Sequence, residues 1–293
     1  MLFAYTSVSN GQTIATVGES KITQSQLQRE WDLLIKSRGA EKALTDFEKM
    51  QLRKTILEKE INRQLVLQFL DASGQGVVGT ELDLLKRKVS NELKQRGITL
   101  TAHLMDQGLT SAEWEQRLKW QVGWNRYIAR YMNDENYENF FQQNRRQYDG
   151  TQLKVAHILI RKENIKDLAS ESALLTSVKS DIESDKLSFT SAAAKYSQSP
   201  TAKEGGELGW IEWVQPMPAP FTKAAFALKP GSISKPISTP FGLHLITVLE
   251  EKSGSKTWQQ TRKALREGMR EFLFTWSADQ QREKTKVKIL GEW

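Results

Sequence analysis

Residues 153–161 read Leu-Lys-Val-Ala-His-Ile-Leu-Ile-Arg, and this run decides the fold class. It is dense in aliphatic and β-branched side chains and has the length of a strand rather than of a helix. His157, in its middle, needs a hydrogen-bond partner once it is buried. A second histidine, His244, sits in the same kind of surroundings within 242–249, which reads as the closing strand. Between them lie a helix carrying Leu174, Leu175, Val178 and Ile182, and a shorter one carrying Phe189, Ala193 and Tyr196. Gly205-Gly206 then breaks the chain before Glu207-Leu208-Gly209-Trp210, and 221–228 reads as one more short helix. Lys229-Pro230-Gly231-Ser232 places proline and glycine where a type II turn favours them. One strand, several helices and then strands joined by tight turns predict a small α+β domain of about 100 residues.

Upstream, 13–22 alternates through Ile14, Ala15, Val17 and Ile22 around Gly18-Glu19-Ser20, as a short hairpin does. Thr23/Gln26, Thr45/Glu48 and Thr110/Glu113 each have the spacing of a capping box just ahead of an apolar-periodic run, and so mark three helix starts. Helices are predicted over 46–70, 80–96 and 111–132. The last carries apolar residues on two neighbouring stripes, which implies contact on more than one side. A polar stretch over 133–150 marks a domain boundary. Downstream, Trp258, Leu265, Met269, Phe272 and Trp276 form a helical stripe over 257–279 that cannot fold alone and packs back on the N-terminal helices. Lys286-Val287-Lys288-Ile289-Leu290 adds a strand to the hairpin near residue 17.

Composition narrows the function. The chain has 293 residues, 39% of them hydrophobic, with nine tryptophans, ample for real cores. Its net charge of +7 is spread without a long basic run, which argues for a solvated mixed-charge surface and against a dedicated nucleic-acid site. Cysteine is absent, which excludes disulfides, thiolate metal sites and a cysteine nucleophile. There are three histidines. His157 and His244 lack an obvious third ligand nearby, so neither a metal nor a cofactor is expected, and His103, on a short polar helix, is assigned to the surface. No apolar run approaches the roughly 20 residues of a membrane-spanning helix, so no stable membrane insertion is expected. The opening Met1-Leu2-Phe3-Ala4-Tyr5 has no basic residue ahead of it and is short for a signal peptide, so either an export signal is missing from this chain or the protein stays inside.

Four separated segments, Val155–Ile160, Tyr196 through Trp210 with its Ser199-Pro200 and Gly205-Gly206-Glu207-Leu208-Gly209, Phe221 through Leu228, and Pro236 through His244, resemble the parvulin family in order and spacing. The resemblance implies a four-stranded antiparallel sheet with surrounding helices and the activity of rotating X-Pro bonds. His157 and His244 match the family's two active-site histidines. Leu208, Met217 and Phe221 match the side chains of its proline pocket, and Thr239 and Phe241 fall on its final loop and strand. Ser199 stands where the family usually has aspartate or cysteine, and a neutral hydroxyl cannot supply the negative potential of either, so weakened catalysis is expected. The reaction asks for an apolar socket that holds the ring and strips water from the carbonyl, with the histidines as a hydrogen-bonded pair fixing its floor rather than as an acid and a base. Arg161 and Lys162 favour acidic residues before the proline, and the longer basic loop of the phosphate-directed branch is lacking, so no phosphate dependence is expected.

The flanks resemble SurA-type periplasmic chaperones more loosely, through Ile98-Thr99-Leu100, Asp106–Leu109 with Trp114 and Arg117, Asn139-Phe140-Phe141 to Asp149-Gly150, and Val287–Leu290. An all-helical chaperone domain over 1–150, a parvulin domain over 151–252 and a C-terminal helix and strand over 253–293 that complete the first are expected. The implied protein is an exported, monomeric or weakly dimeric folding factor without cofactor, whose partners are unfolded or nascent proline-containing polypeptides. One alternative keeps the fold but makes the parvulin domain an idle client-binding module. Another is a scaffold or nucleic-acid-binding protein.

Overall fold

In the computed structural model, residues 11–37, 44–213 and 217–293 are described; the Met1–Tyr5 run lies outside them. The chain opens with the hairpin β1 (Thr13–Val17) and β2 (Ser20–Thr23), which leads into α1 (Gln24–Ser37). There Thr23 N–H donates to Gln26 Oε1 at 2.8 Å and Gln26 N–H donates to Thr23 Oγ1 at 3.3 Å, a capping box that satisfies otherwise orphaned amides. The same reciprocal pair opens α2 (Asp46–Ala72), with Thr45 N–H on Glu48 Oε2 at 2.9 Å and Glu48 N–H on Thr45 Oγ1 at 3.3 Å. Next come α3 (Gly79–Gln95), α4 (Leu100–Asp106) and α5 (Ser111–Lys119), the last with the Thr110/Glu113 box. The helix expected over 111–132 is interrupted by a π-turn at Trp120–Trp124 before α6 (Asn125–Ala129). The wider turn rotates the downstream side chains to a different face. Trp114 and Leu118 therefore join one buried cluster, with Val77, Leu82 and Leu104, while Trp124, Tyr127 and Ile128 join another with Ile61 and Leu65.

The polar stretch over 133–150 is helical. It forms α7 (Asp134–Gln143) and α8 (Arg145–Tyr148), because Tyr137, Phe141 and Tyr148 bury at spacings of one and two turns among polar neighbours. Then come β3 (Gln152–Arg161), α9 (Leu168–Glu183), α10 (Phe189–Tyr196), β4 (Glu207–Ile211), α11 (Ala219–Phe226), β5 (Ile237–Thr239) and β6 (Gly242–Lys252). Strands β4 and β5 complete the four-stranded sheet that the resemblance implied. The turn at 229–232 is as expected, with Ser232 N–H on Lys229 O at 3.0 Å and Gly231 at φ +84°. The chain closes with α12 (Arg262–Arg282) and β7 (Val287–Ile289).

Two antiparallel sheets result, ordered β2-β1-β7 and β4-β3-β6-β5. Strand β7 pairs with β1 through Val17↔Val287 and Ala15↔Ile289, as the sequence suggested. By contact density the chain divides in two. One unit holds the described residues up to 37 with Arg53–Asn136 and Arg266–Trp293; the other holds Tyr137–Leu265 and the start of α2 as far as Leu52. The stripe on α12 differs from expectation. Leu265, Met269 and Leu273 are buried, whereas Phe272 is 53% exposed and Trp276 41% exposed, and Trp258 precedes the helix. Both stripes satisfy a helical period, and only the partner decides between them.

The four-stranded sheet is covered on both faces, so its central strands read as nearly continuous apolar runs. Ile158, Ile160, Leu243 and Leu245 pack under α9 and α10 against Leu175, Val178, Ala192 and Ala193. Leu153, Val155, Ile246 and Val248 pack under α11 against Phe221, Ala225 and Phe226. Each of the valine, leucine, isoleucine and phenylalanine side chains contributes about 1.5–3 kcal/mol by burial, and the alanines less. Arg146 fixes α11 by donating to the carbonyls of Phe226 (2.6 Å) and Leu228 (2.7 Å) at its C-terminal end.

Gly206 lets the segment before β4 approach β3. Its φ is +78°, His157 N–H donates to its carbonyl at 2.9 Å, and an added Cβ would lie 2.2 Å from His157 O. Gly206→Ala is expected to destabilise the sheet by on the order of 2–4 kcal/mol, read as a lowered urea midpoint in denaturation followed by tryptophan fluorescence. An unchanged midpoint would contradict this packing.

Candidate active site

Register places the two strand histidines. In the β3–β6 ladder His157 faces Ile246 and Leu159 faces His244, so the imidazoles are diagonal neighbours on one face of the sheet. Their Nδ1 atoms lie 3.1 Å apart, both rings are buried, and the ring centroids are 5.2 Å apart. His157 Nε2 lies 2.9 Å from Ser199 Oγ, and His244 Nε2 lies 2.7 Å from Thr239 Oγ1. The chain of contacts ends in backbone amides at both sides: Thr201 N–H donates to Ser199 Oγ at 3.3 Å and Phe241 N–H donates to Thr239 Oγ1 at 3.1 Å. Ser199 reaches this position because β3 holds the segment after α10, with Gln198 N–H on Leu159 O at 2.7 Å and Leu159 N–H on Ser197 Oγ at 3.1 Å.

Two Nδ1 atoms at hydrogen-bond distance share one proton between them, and a second proton there would set donor against donor. The electrostatics agree. Burial pushes the His157 imidazole down to about 4, and burial together with the charge of His157 pushes His244 down to about 3. Both rings are therefore neutral near pH 7, each a donor at one nitrogen and an acceptor at the other.

Above the pair opens a cleft of about 300 Å³ lined by His157, Leu159, Met217, Pro218, Phe221, Phe241 and His244, with Arg161, Lys162 and Glu163 at its mouth. Phe221 sets its ring nearly perpendicular to both imidazoles, with centroids 6.0 and 5.5 Å away. Phe241 is 59% exposed, an uncovered aromatic face at the rim. Of the side chains singled out in the sequence, Met217, Phe221, Phe241, His157 and His244 meet at this cleft. Ser199 and Thr239 lie behind it as hydrogen-bond partners of the rings, and Leu208 packs half-buried on the core beneath α11. Leu159, Pro218 and Glu163 also line the cleft, and nothing in their local sequence singles them out. Among the described residues no group of three or more His, Cys, Asp or Glu side chains is placed to hold a metal ion.

Family models match two stretches of the chain: a PPIC-type PPIase domain over residues 157–250 and a SurA-like N-terminal domain over 1–128. A probable parvulin-type peptidyl-prolyl cis-trans isomerase of Bordetella bronchiseptica is 30% identical over 286 residues, covering 94% of this chain and 93% of that protein. The chain belongs to the parvulin-type peptidyl-prolyl cis-trans isomerases. Its likeness to a chaperone SurA of Bordetella avium is local, 36% identical over 119 residues, covering 41% of this chain and 23% of that protein. PrsA of Bacillus cereus, a solved peptidylprolyl isomerase, aligns with 97% of this chain and 96% of that one at 16% identity and a TM-score of 0.34. The parvulin sheet and its histidine pair thus share one chain with a SurA-like N-terminal region.

The depressed imidazoles give the parvulin fold a pH signature. Unfolded histidines take up protons below their ordinary value of 6.5, while the folded pair stays neutral to about 4 and about 3. The stability this pair allows is complete above about pH 6.5 and is lost as the pH falls from there towards 4. The urea midpoint is expected to fall between about pH 7 and pH 5, and His244→Asn is expected to lose less over the same interval. Equal losses in the two proteins would contradict neutral burial.

Proposed function

We propose that the cleft floored by His157 and His244 binds the proline ring of an unfolded client against Met217, Phe221 and Phe241 and speeds rotation about the preceding peptide bond. The observation that carries this reading is the uncharged histidine pair beneath an apolar cleft. Rotation needs no covalent step, since its barrier of about 18–20 kcal/mol arises from the partial double-bond character of the C–N bond. For X-Pro the cis form lies only about 0.5–1 kcal/mol above trans, so the task is to lower the barrier, not to shift the equilibrium. An apolar cleft deprives the carbonyl of water, which disfavours the charge-separated resonance form that resists twisting. Thioether and aromatic faces conform to a pyrrolidine ring. In this reading His157, Ser199, His244 and Thr239 hold the floor rigid, and Leu208 supports the wall from the core side.

The division into a chaperone region over 1–150, an isomerase domain over 151–252 and a completing segment over 253–293 belongs to the same proposal. The SurA-like region supports holding of unfolded polypeptide by apolar contact, by a monomer or weak dimer in the periplasm. Ser199 favours one further reading, a client-binding module with little turnover, because its hydroxyl brings no negative charge to His157.

A protease-coupled isomerisation assay on a short Ala-Pro peptide separates the two, and a rate equal to background would leave only the holding function. Met217→Ala, at a half-buried position on the edge of the α11 core, is expected to lower kcat/KM about tenfold with only a small fall in melting temperature, from loss of about one side chain's worth of contact. Phe221→Ala lowers it further but also costs stability, since that ring is part of the core. Ser199→Asp is expected to raise turnover several-fold. Wild-type kcat/KM in Met217→Ala would contradict the pocket.

A further inference from the structure

Two cations stand at the end of β3 at the mouth of the cleft, Arg161 as its last residue and Lys162 directly after it, and they differ in what surrounds them. Arg161 donates from Nε to Gln198 O at 2.9 Å and is exposed. Lys162 is engaged by a carboxylate: its Nζ lies 2.7 Å from Glu48 Oε1, with the two side chains 20% and 18% exposed. Glu48 belongs to the first turn of α2, outside the 157–250 stretch matched as a PPIase domain, yet within the same compact unit as the sheet.

The geometry of the helix start holds this carboxylate in place. Thr45 N–H and Thr45 Oγ1 both donate to Glu48 Oε2 at 2.9 Å, which leaves Oε1 turned towards the ammonium. One oxygen caps the helix while the other neutralises a cation at the rim. Burial pushes the Glu48 carboxyl up, but the hydrogen bonds from Lys162 and Thr45 outweigh it and hold the group below the ordinary carboxylate range. The pair is therefore charged, partly shielded from water and braced from behind, unlike a flexible surface ion pair whose geometry lapses.

We propose that Glu48 is a specificity-determining residue of the isomerase cleft: by occupying Lys162 it cancels one of the two positive charges at the mouth and turns the site away from clients with an acidic residue before the proline. The assignment rests on the isomerase reading of the cleft. It also makes the first turn of a helix outside the PPIase domain a part of that domain's client selection.

The test compares kcat/KM for a Glu-Pro and an Ala-Pro peptide in the full chain, for wild type, Glu48→Gln, Lys162→Gln and the double variant. Glutamine preserves the capping box, so Glu48→Gln removes charge without removing the helix start. In this variant the Glu-Pro to Ala-Pro ratio is expected to rise about three- to fivefold at low salt. Roughly 0.5 M salt should shrink that gain, and adding Lys162→Gln should abolish it. A ratio equal to or below that of wild type, or a gain that survives the loss of Lys162, overturns the proposal. Should the wild type turn over neither peptide, the isomerase reading fails on its own, and the ratio of the two peptides' dissociation constants, measured by fluorescence anisotropy, decides in its place. The same rise in acidic preference supports the role of Glu48, and an unchanged ratio or no binding of either peptide overturns it.

Discussion

A single hydrogen bond between two uncharged imidazoles sets the terms for the rest of the isomerase fold. His157 and His244 meet Nδ1 to Nδ1 at 3.1 Å, a contact that tolerates one proton and no more. To keep it so, the fold must bury both rings, bring two strands into a register that makes them diagonal neighbours, and supply a hydroxyl to each outer nitrogen. The last requirement reaches far along the chain. Ser199 comes from the segment after α10 and Thr239 from the end of β5, and each is itself anchored by a backbone amide. Gly206 belongs to the same demand, because only a residue without Cβ lets the lead-in to β4 lie against the backbone of His157.

The two faces of the sheet are closed to different degrees. Beneath α9 and α10 the aliphatic contacts are closed and continuous. Beneath α11 the same close packing runs as far as Phe221 and then gives way to a cleft, so that one fully buried ring is at once core and wall. Loss of packing at the end of that face is the cost of an accessible pocket. Arg146 tying down the C-terminal end of α11 answers it, since the helix that carries the wall must not drift.

Much of this was legible in the residues. The β3 run, the β6 run and the capping boxes carry local signals whose physics does not depend on distant partners, and the hairpin with its third strand followed from alternation. Where expectation and structure part, the deciding partner is remote. The α7 and α8 helices hide among polar residues because three well-spaced aromatics suffice to anchor them. The choice between adjacent stripes on α12, which leaves Phe272 and Trp276 partly exposed, was made by the surface they face. Glu48 shows a capping box to any reader of the sequence, but the ammonium that takes its second oxygen lies in another part of the chain and leaves no local trace. In the site, residue types were legible and roles less so. Ser199 and Thr239 lie behind the cleft as hydrogen-bond partners of the rings, while Leu159 and Pro218 enter the cleft through backbone placement alone.

The pairing of β1 with β7 has a consequence for how the molecule is made. A ribosome delivers β1 and β2 first, then every element of the four-stranded sheet, and only afterwards the strand that completes the first sheet. The isomerase sheet has all its strands as soon as β6 emerges, whereas the hairpin must wait with an open edge until synthesis has passed residue 289. Maturation of this polypeptide is therefore out of step with its order of translation, and the part made earliest is the last to be finished.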